Sequence, residues 1–518
     1  MSTPARIARG TALTLGTVAV NILGQIVTVP IFLSFWEAET YGVWLIMISA
    51  FGYLFLLSTA FQQYAYSEML KVGPAAKETV RIIYRTSVVM AFAIATFELV
   101  IVATFTSGPI LARIVPEWHE NALLGTVVSI LLLYSVLNFL IMPVNAITAN
   151  ANVVYGHYPR VAIWGLFNAI FRLAAPAIAV LLGADFQTAA LVYVLAYVAS
   201  VLPALADMLR LARREGLLRP APVVWQQGFR NVAFCLPLAG RTFIDSFRQQ
   251  GFRILLGTYA GATAVTALAT TRTFANVLHQ GLSTITAPLM PELMRYVVNR
   301  DQARMEGAFT IVWLCLFFLL VPGILLLCLF AEPIYLFWTQ GAVEFDPVLF
   351  LTLLVAVLLY ASGQPANAIL QGQNRIAWII SISVAAALGL VAFSILLIPH
   401  FGLRGAGFAL LGAELCAAML TLSGAARALR QSGLDFPWRS FALVAATVGT
   451  VFALTLLAVT VFSGQPVFMA VPFAANALFA GLYWTTIPTL ARIRILGALG
   501  EIRARLPGWM RTDLPGPK

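Results

Sequence analysis

Apolar segments long enough to cross a membrane recur along the whole chain. A spanning helix needs about 20 largely apolar residues to cross a ~30 Å hydrocarbon core. Windows of that length lie at roughly 11–35, 41–66, 86–111, 121–149, 161–183, 188–207, 231–258, 264–290, 308–330, 347–370, 376–398, 405–424, 440–463 and 467–490. Because lipid cannot satisfy backbone polar groups, such windows predict helices. The sequence therefore predicts an all-α polytopic membrane protein with about fourteen transmembrane helices.

Composition agrees with this fold class. Only 10% of the residues are charged and mean hydropathy is +0.89, whereas soluble domains carry about 25% charged residues. The net charge of +11 lies mainly in the predicted loops, where basic residues face anionic headgroups. We therefore expect no nucleic-acid partner.

The distribution of basic residues predicts the orientation. Lys and Arg concentrate in cytoplasmic loops, and here they fall in alternate loops. Of the 32 Lys and Arg residues, only Arg113 and Arg404 lie in loops of the opposite side. Both termini are therefore expected to be cytoplasmic.

Weak internal similarity divides the predicted spans into two groups of six. Tyr155-Gly156 near Arg160 and Gln371-Gly372 near Arg375 open equivalent spans about 215 residues apart. Repeats of this kind are common in transporters. The predicted organisation is 1–207 for the N-lobe, 208–230 for a cytoplasmic linker, 231–424 for the C-lobe, 425–490 for an extra helix pair and 491–518 for a basic tail. The two six-helix lobes are expected to be pseudo-symmetric.

Five arginines lie inside the predicted spans, where charge is costly and usually marks a pathway. Arg241, Asp245 and Arg248 are spaced i, i+4, i+7, so an α-helix places them on one face. Arg272 is expected at a depth between Arg241 and Arg248, and Arg172 is the N-lobe counterpart. Arg253 falls off the stripe and is expected to snorkel to the interface.

These arginines have two interpretations. Arg241 and Asp245 could form an internal ion pair, with the other arginines solvated or bonded to carbonyls. Alternatively, because one acid cannot neutralise the cluster, an anionic ligand supplies the missing charge. Guanidinium binds phosphate through a bidentate fork. This second interpretation predicts a diphosphate site at Arg241, Arg248, Arg272 and Arg172.

Other polar groups inside spans have both a transport and a packing interpretation. Glu98, Glu414 and His279 could carry a coupling ion, pair with an arginine, or be hydrogen-bonded packing residues. Asn21 and Gln25 share a helix face and could recognise sugar hydroxyls, although interhelical hydrogen bonding is an equally ordinary use of such amides.

The sequence carries no motif for nucleotide or metal chemistry. It contains neither a G-x-x-x-x-G-K-[ST] loop nor an H-E-x-x-H helix. The four cysteines fall in predicted spans without metal-ligand spacing. We expect neither a metal, a cofactor nor an enzymatic activity.

Four short motifs resemble a known transporter family. They are PIFL at 30–33, TYGVWLI at 40–46, TRT at 271–273 and LQGQNR at 370–375. With them the chain resembles Wzx-type polysaccharide and O-antigen flippases of the multidrug/oligosaccharidyl-lipid/polysaccharide (MOP) exporter superfamily. The resemblance implies a V of two six-helix lobes plus a helix pair. It implies a monomeric flippase of undecaprenyl-diphosphate-linked oligosaccharides in the bacterial inner membrane, working by ion-coupled alternating access beside polysaccharide polymerase and glycosyltransferases.

Departures from related branches guide the choice among exporters. Multidrug exporters of the superfamily commonly carry an acid in the first helix, and lipid II flippases carry charges in the first two. Here 11–35 and 41–66 are uncharged. A drug or lipid II exporter remains the alternative, and a membrane glycosyltransferase would need an outer catalytic loop longer than any predicted here.

Overall fold

The structure is a computed structural model that describes residues 3–108, 110, 122–286, 289–373, 375–461, 466–487 and 492. Regular secondary structure in these residues is helical throughout. The helices are α1 (Thr3–Phe35), α2 (Ala38–Leu54), α3 (Leu56–Val72), α4 (Lys77–Phe105), α5 (Ala122–Val154), α6 (Tyr158–Leu181), α7 (Phe186–Arg214), α8 (Trp225–Ser246), α9 (Phe252–Thr286), α10 (Leu289–Val298), α11 (Gln302–Cys315), α12 (Val321–Trp338), α13 (Pro347–Gly372), α14 (Ile376–Gln431), α15 (Trp438–Thr460) and α16 (Pro466–Thr486).

The expectation of an all-helical membrane protein is confirmed. Within the described residues, 11 helices are long and apolar enough to cross a membrane, and 12 if the bent pair α2 and α3 forms one span. Two long helices are interrupted by glycines of positive φ, Gly261 at 80° and Gly402 at 56°. Because glycine lacks a Cβ, it adopts this left-handed backbone without strain. Both breaks coincide with predicted turns; the count of fourteen and the orientation stay predictions.

Several helices extend beyond their apolar windows into basic segments. Helix α7 continues to Arg214 and α8 begins at Trp225, so only 215–224 of the predicted linker 208–230 is non-helical. Long basic side chains tolerate such positions by reaching toward water. The predicted tail 491–518 lies outside the described residues except for Arg492.

The helices form two compact units. The first unit comprises 1–274, 332–349 and 383–413, and the second comprises 275–331, 350–382 and 414–518. An aromatic core in the first unit joins α1, α2, α5 and α7, with Phe32, Trp44, Phe51 and Tyr193 among its buried members. In the second unit, Asn476 donates from its Nδ2 to the Phe317 carbonyl at 3.1 Å. The predicted lobe boundaries stay a prediction.

Helix α7 begins where Asp185 caps its first turn. The Asp185 carboxylate accepts a hydrogen bond from the Thr188 amide at 3.0 Å. Such caps satisfy amides that have no intrahelical partner. Hydrogen bonding to Thr188 lowers the pKa of the Asp185 carboxyl, which indicates that the charged form holds the cap.

The start of α2 packs directly against the second half of α9. Gly42 lies so close that a Cβ there would be 1.9 Å from the Ala262 carbonyl oxygen. The Thr266 hydroxyl donates to the Ala38 carbonyl at 2.6 Å beside this contact. Gly42 belongs to the TYGVWLI motif, so its small size has a structural reason.

We expect Gly42→Ala to destabilise the protein by about 1–3 kcal/mol, because an added methyl group must separate two backbones. Thermal unfolding of the purified protein measures the loss. Gly125→Ala is the matched control, since Gly125 also lies in a helix but a Cβ there meets nothing within 4 Å; it should be neutral or slightly stabilising. Equal melting temperatures for the two variants would contradict the close contact.

Candidate functional site

A cavity of about 470 Å³ opens within the first unit. Helices α1, α2, α6, α7 and α9 supply its wall. The polar lining residues are Thr17, Asn21, Gln25, Thr28, Asn168, Thr270 and Thr273. The aromatic ones are Phe32, Tyr41, Trp44 and Tyr193. The wall therefore combines hydroxyl and amide groups with ring faces.

Two arginines and no acid stand among the described residues that line this cavity. The two are Arg172, on α6, and Arg253, on α9. In an apolar region such charges are costly unless they are paired or hydrated. The cavity thus carries a positive field that none of its described lining residues neutralises.

Tyr193 holds the Arg172 side chain in place. The Arg172 Nε donates to the Tyr193 hydroxyl at 3.1 Å, and the Nη2 donates to the same oxygen. The guanidinium carbon also lies 5.2 Å from the centre of the Tyr193 ring, within cation–π range. One edge of the guanidinium is thereby fixed to α7, and Nη1 remains available for a ligand.

Arg253 was expected to snorkel to the interface, and the structure places it on the cavity wall instead. The reason is a π-helical turn at Phe247–Gly251. At 3.6 residues per turn, Arg253 points about 120° away from Arg241, but a π turn adds one residue and removes about 100° of that difference. Sequence spacing carries no signal for this insertion, so the residue was missed.

The predicted stripe of Arg241, Asp245 and Arg248 is divided by the same turn. Arg241 and Asp245 lie on α8 and form an ion pair at 3.5 Å between Nε and Oδ2. Asp245 also accepts from the Ser383 hydroxyl at 2.7 Å. Both residues line a smaller open pocket of about 290 Å³ with Thr242, and Arg248 lies within the π turn.

Arg272 points toward the π turn. Its Nη1 donates to the backbone carbonyl of Arg248 at 3.4 Å, and its charge interacts with those of Arg248 and Arg253. Its neighbours Thr270 and Thr273 line the large cavity. Arg272 thus stands behind the wall to which Arg253 contributes.

The remaining candidates lie apart. Glu98 is buried on α4 and bonded to Ser58. Glu414 is partly buried on α14 and belongs to the second unit. The side chain of His279 lies outside the described residues. Asn21 and Gln25, in contrast, line the cavity that holds Arg172.

Comparison with known proteins yields structural matches. No protein-family model matches the sequence, and no curated protein matches it significantly. A solved lipid II flippase MurJ in an inward closed conformation is similar at a TM-score of 0.65 and 10% identity, covering 92% of this chain and 98% of that one.

Transporters of the multidrug type give matches as well. An inward-facing multidrug resistance MATE family transporter of the MOP superfamily is similar at a TM-score of 0.61 and 13% identity, covering 81% of this chain and 99% of that one. An outward-facing MATE transporter matches at 0.54 and 15% identity. The chain is therefore a multi-pass membrane protein with the fold of MOP superfamily transporters.

Proposed function

We propose that the chain is a flippase for lipid-linked oligosaccharides that carry a diphosphate, of the Wzx type. The observation that carries this proposal is the large cavity with Arg172 and Arg253 and no acid among its described lining residues. Guanidinium stays protonated and pairs with phosphate oxygens through charge-assisted hydrogen bonds. A cavity of this charge favours an anionic cargo over a cationic drug.

The rest of the cavity wall suits a sugar. Asn21, Gln25 and Asn168 offer amide donors and acceptors, and Trp44 offers an apolar ring beside them. Sites for small polar molecules typically combine an apolar lining with a few placed polar groups in 300–1,000 Å³. The cavity volume of about 470 Å³ falls within this range.

The choice of oligosaccharide over lipid II rests on the sequence. The fold similarity supports drug exporters and lipid II flippases equally, and both lipid substrates carry a diphosphate. The uncharged spans 11–35 and 41–66 depart from both alternatives. The proposal places the protein in the bacterial inner membrane as a non-enzymatic transporter, beside the glycosyltransferases and polymerase that make and use its cargo.

Reconstitution into liposomes tests this function. A lipid with a diphosphate-linked oligosaccharide is compared with the same glycolipid on an uncharged linker and with a lipophilic cationic drug. The readout for the glycolipids is the fraction protected from a glycosidase added outside, and for the drug it is efflux. We expect the protein to accelerate only the flipping of the diphosphate lipid over empty liposomes. Accelerated drug efflux without glycolipid flipping would replace this proposal by multidrug export.

A further inference from the structure

The second predicted span is broken near its middle. Helices α2 and α3 meet at Phe55 with a bend of 42°. Phe55 is the N-cap of α3 and makes no side-chain cap hydrogen bond. The first amides of α3 therefore need an acceptor from elsewhere, because they have no intrahelical partner at a break.

Glu98 of the neighbouring helix α4 supplies that acceptor. Its Oε1 accepts from the Ser58 amide at 2.8 Å, and its Oε2 accepts from the Ser58 hydroxyl at 2.5 Å. Ser58 is the third residue of α3, the position whose amide an N-cap side chain usually bonds. Glu98 is only 3% exposed, so this carboxyl caps the break from the protein interior.

The charge of Glu98 decides how strongly the break is held. An ionised carboxylate is a better acceptor than a carboxylic acid, and it interacts favourably with the positive end of a helix dipole. When the carboxyl gains a proton, this stabilisation weakens. The Ser58 amide then regains a partner if α2 and α3 become continuous, since a continuous helix bonds it to the Leu54 carbonyl.

The surroundings of Glu98 leave the proton as the variable charge. Helix α4 packs against α3, α5 and α8. The titratable groups on the described parts of α4 and these three helices are Lys77, Glu78, Arg81, Tyr84, Arg85, Tyr64, Tyr66, Glu68, Lys71, Tyr134, Tyr155 just beyond α5, Arg230, Cys235, Arg241 and Asp245. The groups that act on the Glu98 carboxyl are Ser58 and the backbone of Leu57, and none of these titratable groups does.

We propose that the Glu98 carboxyl is the binding site of the transported or coupling proton, and that its occupancy sets the bend between α2 and α3. The proton adds to a carboxylate oxygen from one aqueous side and leaves to the other as the bend changes. The inference rests on the proposed transport function for its purpose, but the response of the bend to pH requires no cargo.

Spin-label distances across the break test the proposal. Labels are attached to Glu39→Cys on α2 and Ser67→Cys on α3, both exposed positions, in a full-length protein whose four native cysteines are replaced. At 1.5 Å per residue, the two positions are about 42 Å apart in a straight helix and about 39 Å apart with the observed bend. We expect the distance in lipid nanodiscs to lengthen by about 3 Å as pH falls, and Glu98→Gln to show the long distance at every pH.

A second acid in the same region provides the control. Glu68→Gln removes an exposed carboxylate of α3 that pairs with Lys71, and it should leave the pH response intact. Infrared titration of the unlabelled wild type should show a buried carboxyl band that is lost in Glu98→Gln. A distance that responds to pH equally in wild type and Glu98→Gln, or that never responds in wild type, overturns the proposal. Neither result depends on whether a glycolipid is flipped.

Discussion

Replacing both cavity arginines, Arg172→Ala with Arg253→Ala, is expected to abolish flipping of a diphosphate-linked oligosaccharide in liposomes. Each charge-assisted hydrogen bond to the ligand contributes about 1.5–3 kcal/mol. Each single variant should therefore reduce cargo affinity by about 10- to 100-fold, and the double variant should reach the rate of empty liposomes. The measurement is the initial rate of glycosidase protection at several cargo concentrations.

Two further arginines make this experiment specific. Arg404→Ala is the matched control, because Arg404 pairs with Asp346 at 2.8 Å in the same unit and does not line the cavity; its effect should stay within about fivefold. Arg241→Ala compares the cavity with the sequence-based prediction. If Arg241→Ala abolishes flipping while the double cavity variant remains active, the diphosphate site belongs to the Arg241, Arg248 and Arg272 set.

A conservative change separates charge from geometry. Arg172→Lys keeps a positive charge but loses the planar fork, and it also loses the two-nitrogen contact with Tyr193. Partial activity in Arg172→Lys would indicate that charge alone holds the cargo. Activity as low as in Arg172→Ala would indicate that bidentate geometry is required.

The helical architecture and part of the site could be predicted from the sequence. Apolar length alone determines where helices run, because lipid leaves the backbone no other partners. The same reasoning selected Arg172, Asn21 and Gln25, which line one cavity. For these residues, the α-helical period was enough to indicate a common face.

Local departures from the α-helix account for what the sequence left out. The π turn at Phe247–Gly251 redirects Arg253, and no residue type in FRQQG requires such a turn. The break at Phe55 contains neither proline nor glycine. It is stabilised by Glu98, which lies 40 residues away in the chain. Both features depend on tertiary contacts, which spacing within one helix does not record.

The pairing of Asp207 with Arg160 leads to the second large effect, on stability. Arg160 donates from Nε and Nη2 to the two Asp207 oxygens at 2.7 and 2.6 Å, and the Trp164 indole donates to Oδ2 at 2.9 Å. These bonds join α6, which carries Arg172, to α7, which carries Tyr193. The side chain of Asp207 is 10% exposed and that of Arg160 is 53% exposed.

This asymmetry predicts which partner costs more to remove. Arg160→Ala leaves a buried carboxylate with only Trp164 and the more distant charge of Arg210, and it should lower the free energy of unfolding by about 2 kcal/mol. Asp207→Ala leaves an arginine that water can solvate, and it should cost about 1 kcal/mol. Chemical denaturation in lipid–detergent micelles measures both values.

The double variant decides whether burial of the carboxylate is the cause. If the penalty of Arg160→Ala comes from the stranded Asp207 charge, removing that charge as well should restore stability to the level of Asp207→Ala, with a coupling energy of about 1–2 kcal/mol. Strictly additive losses would instead mean that the two side chains contribute through separate contacts. The link between α6 and α7 would then be carried by other contacts, and Arg172 should keep its position beside Tyr193 even when the ion pair is gone.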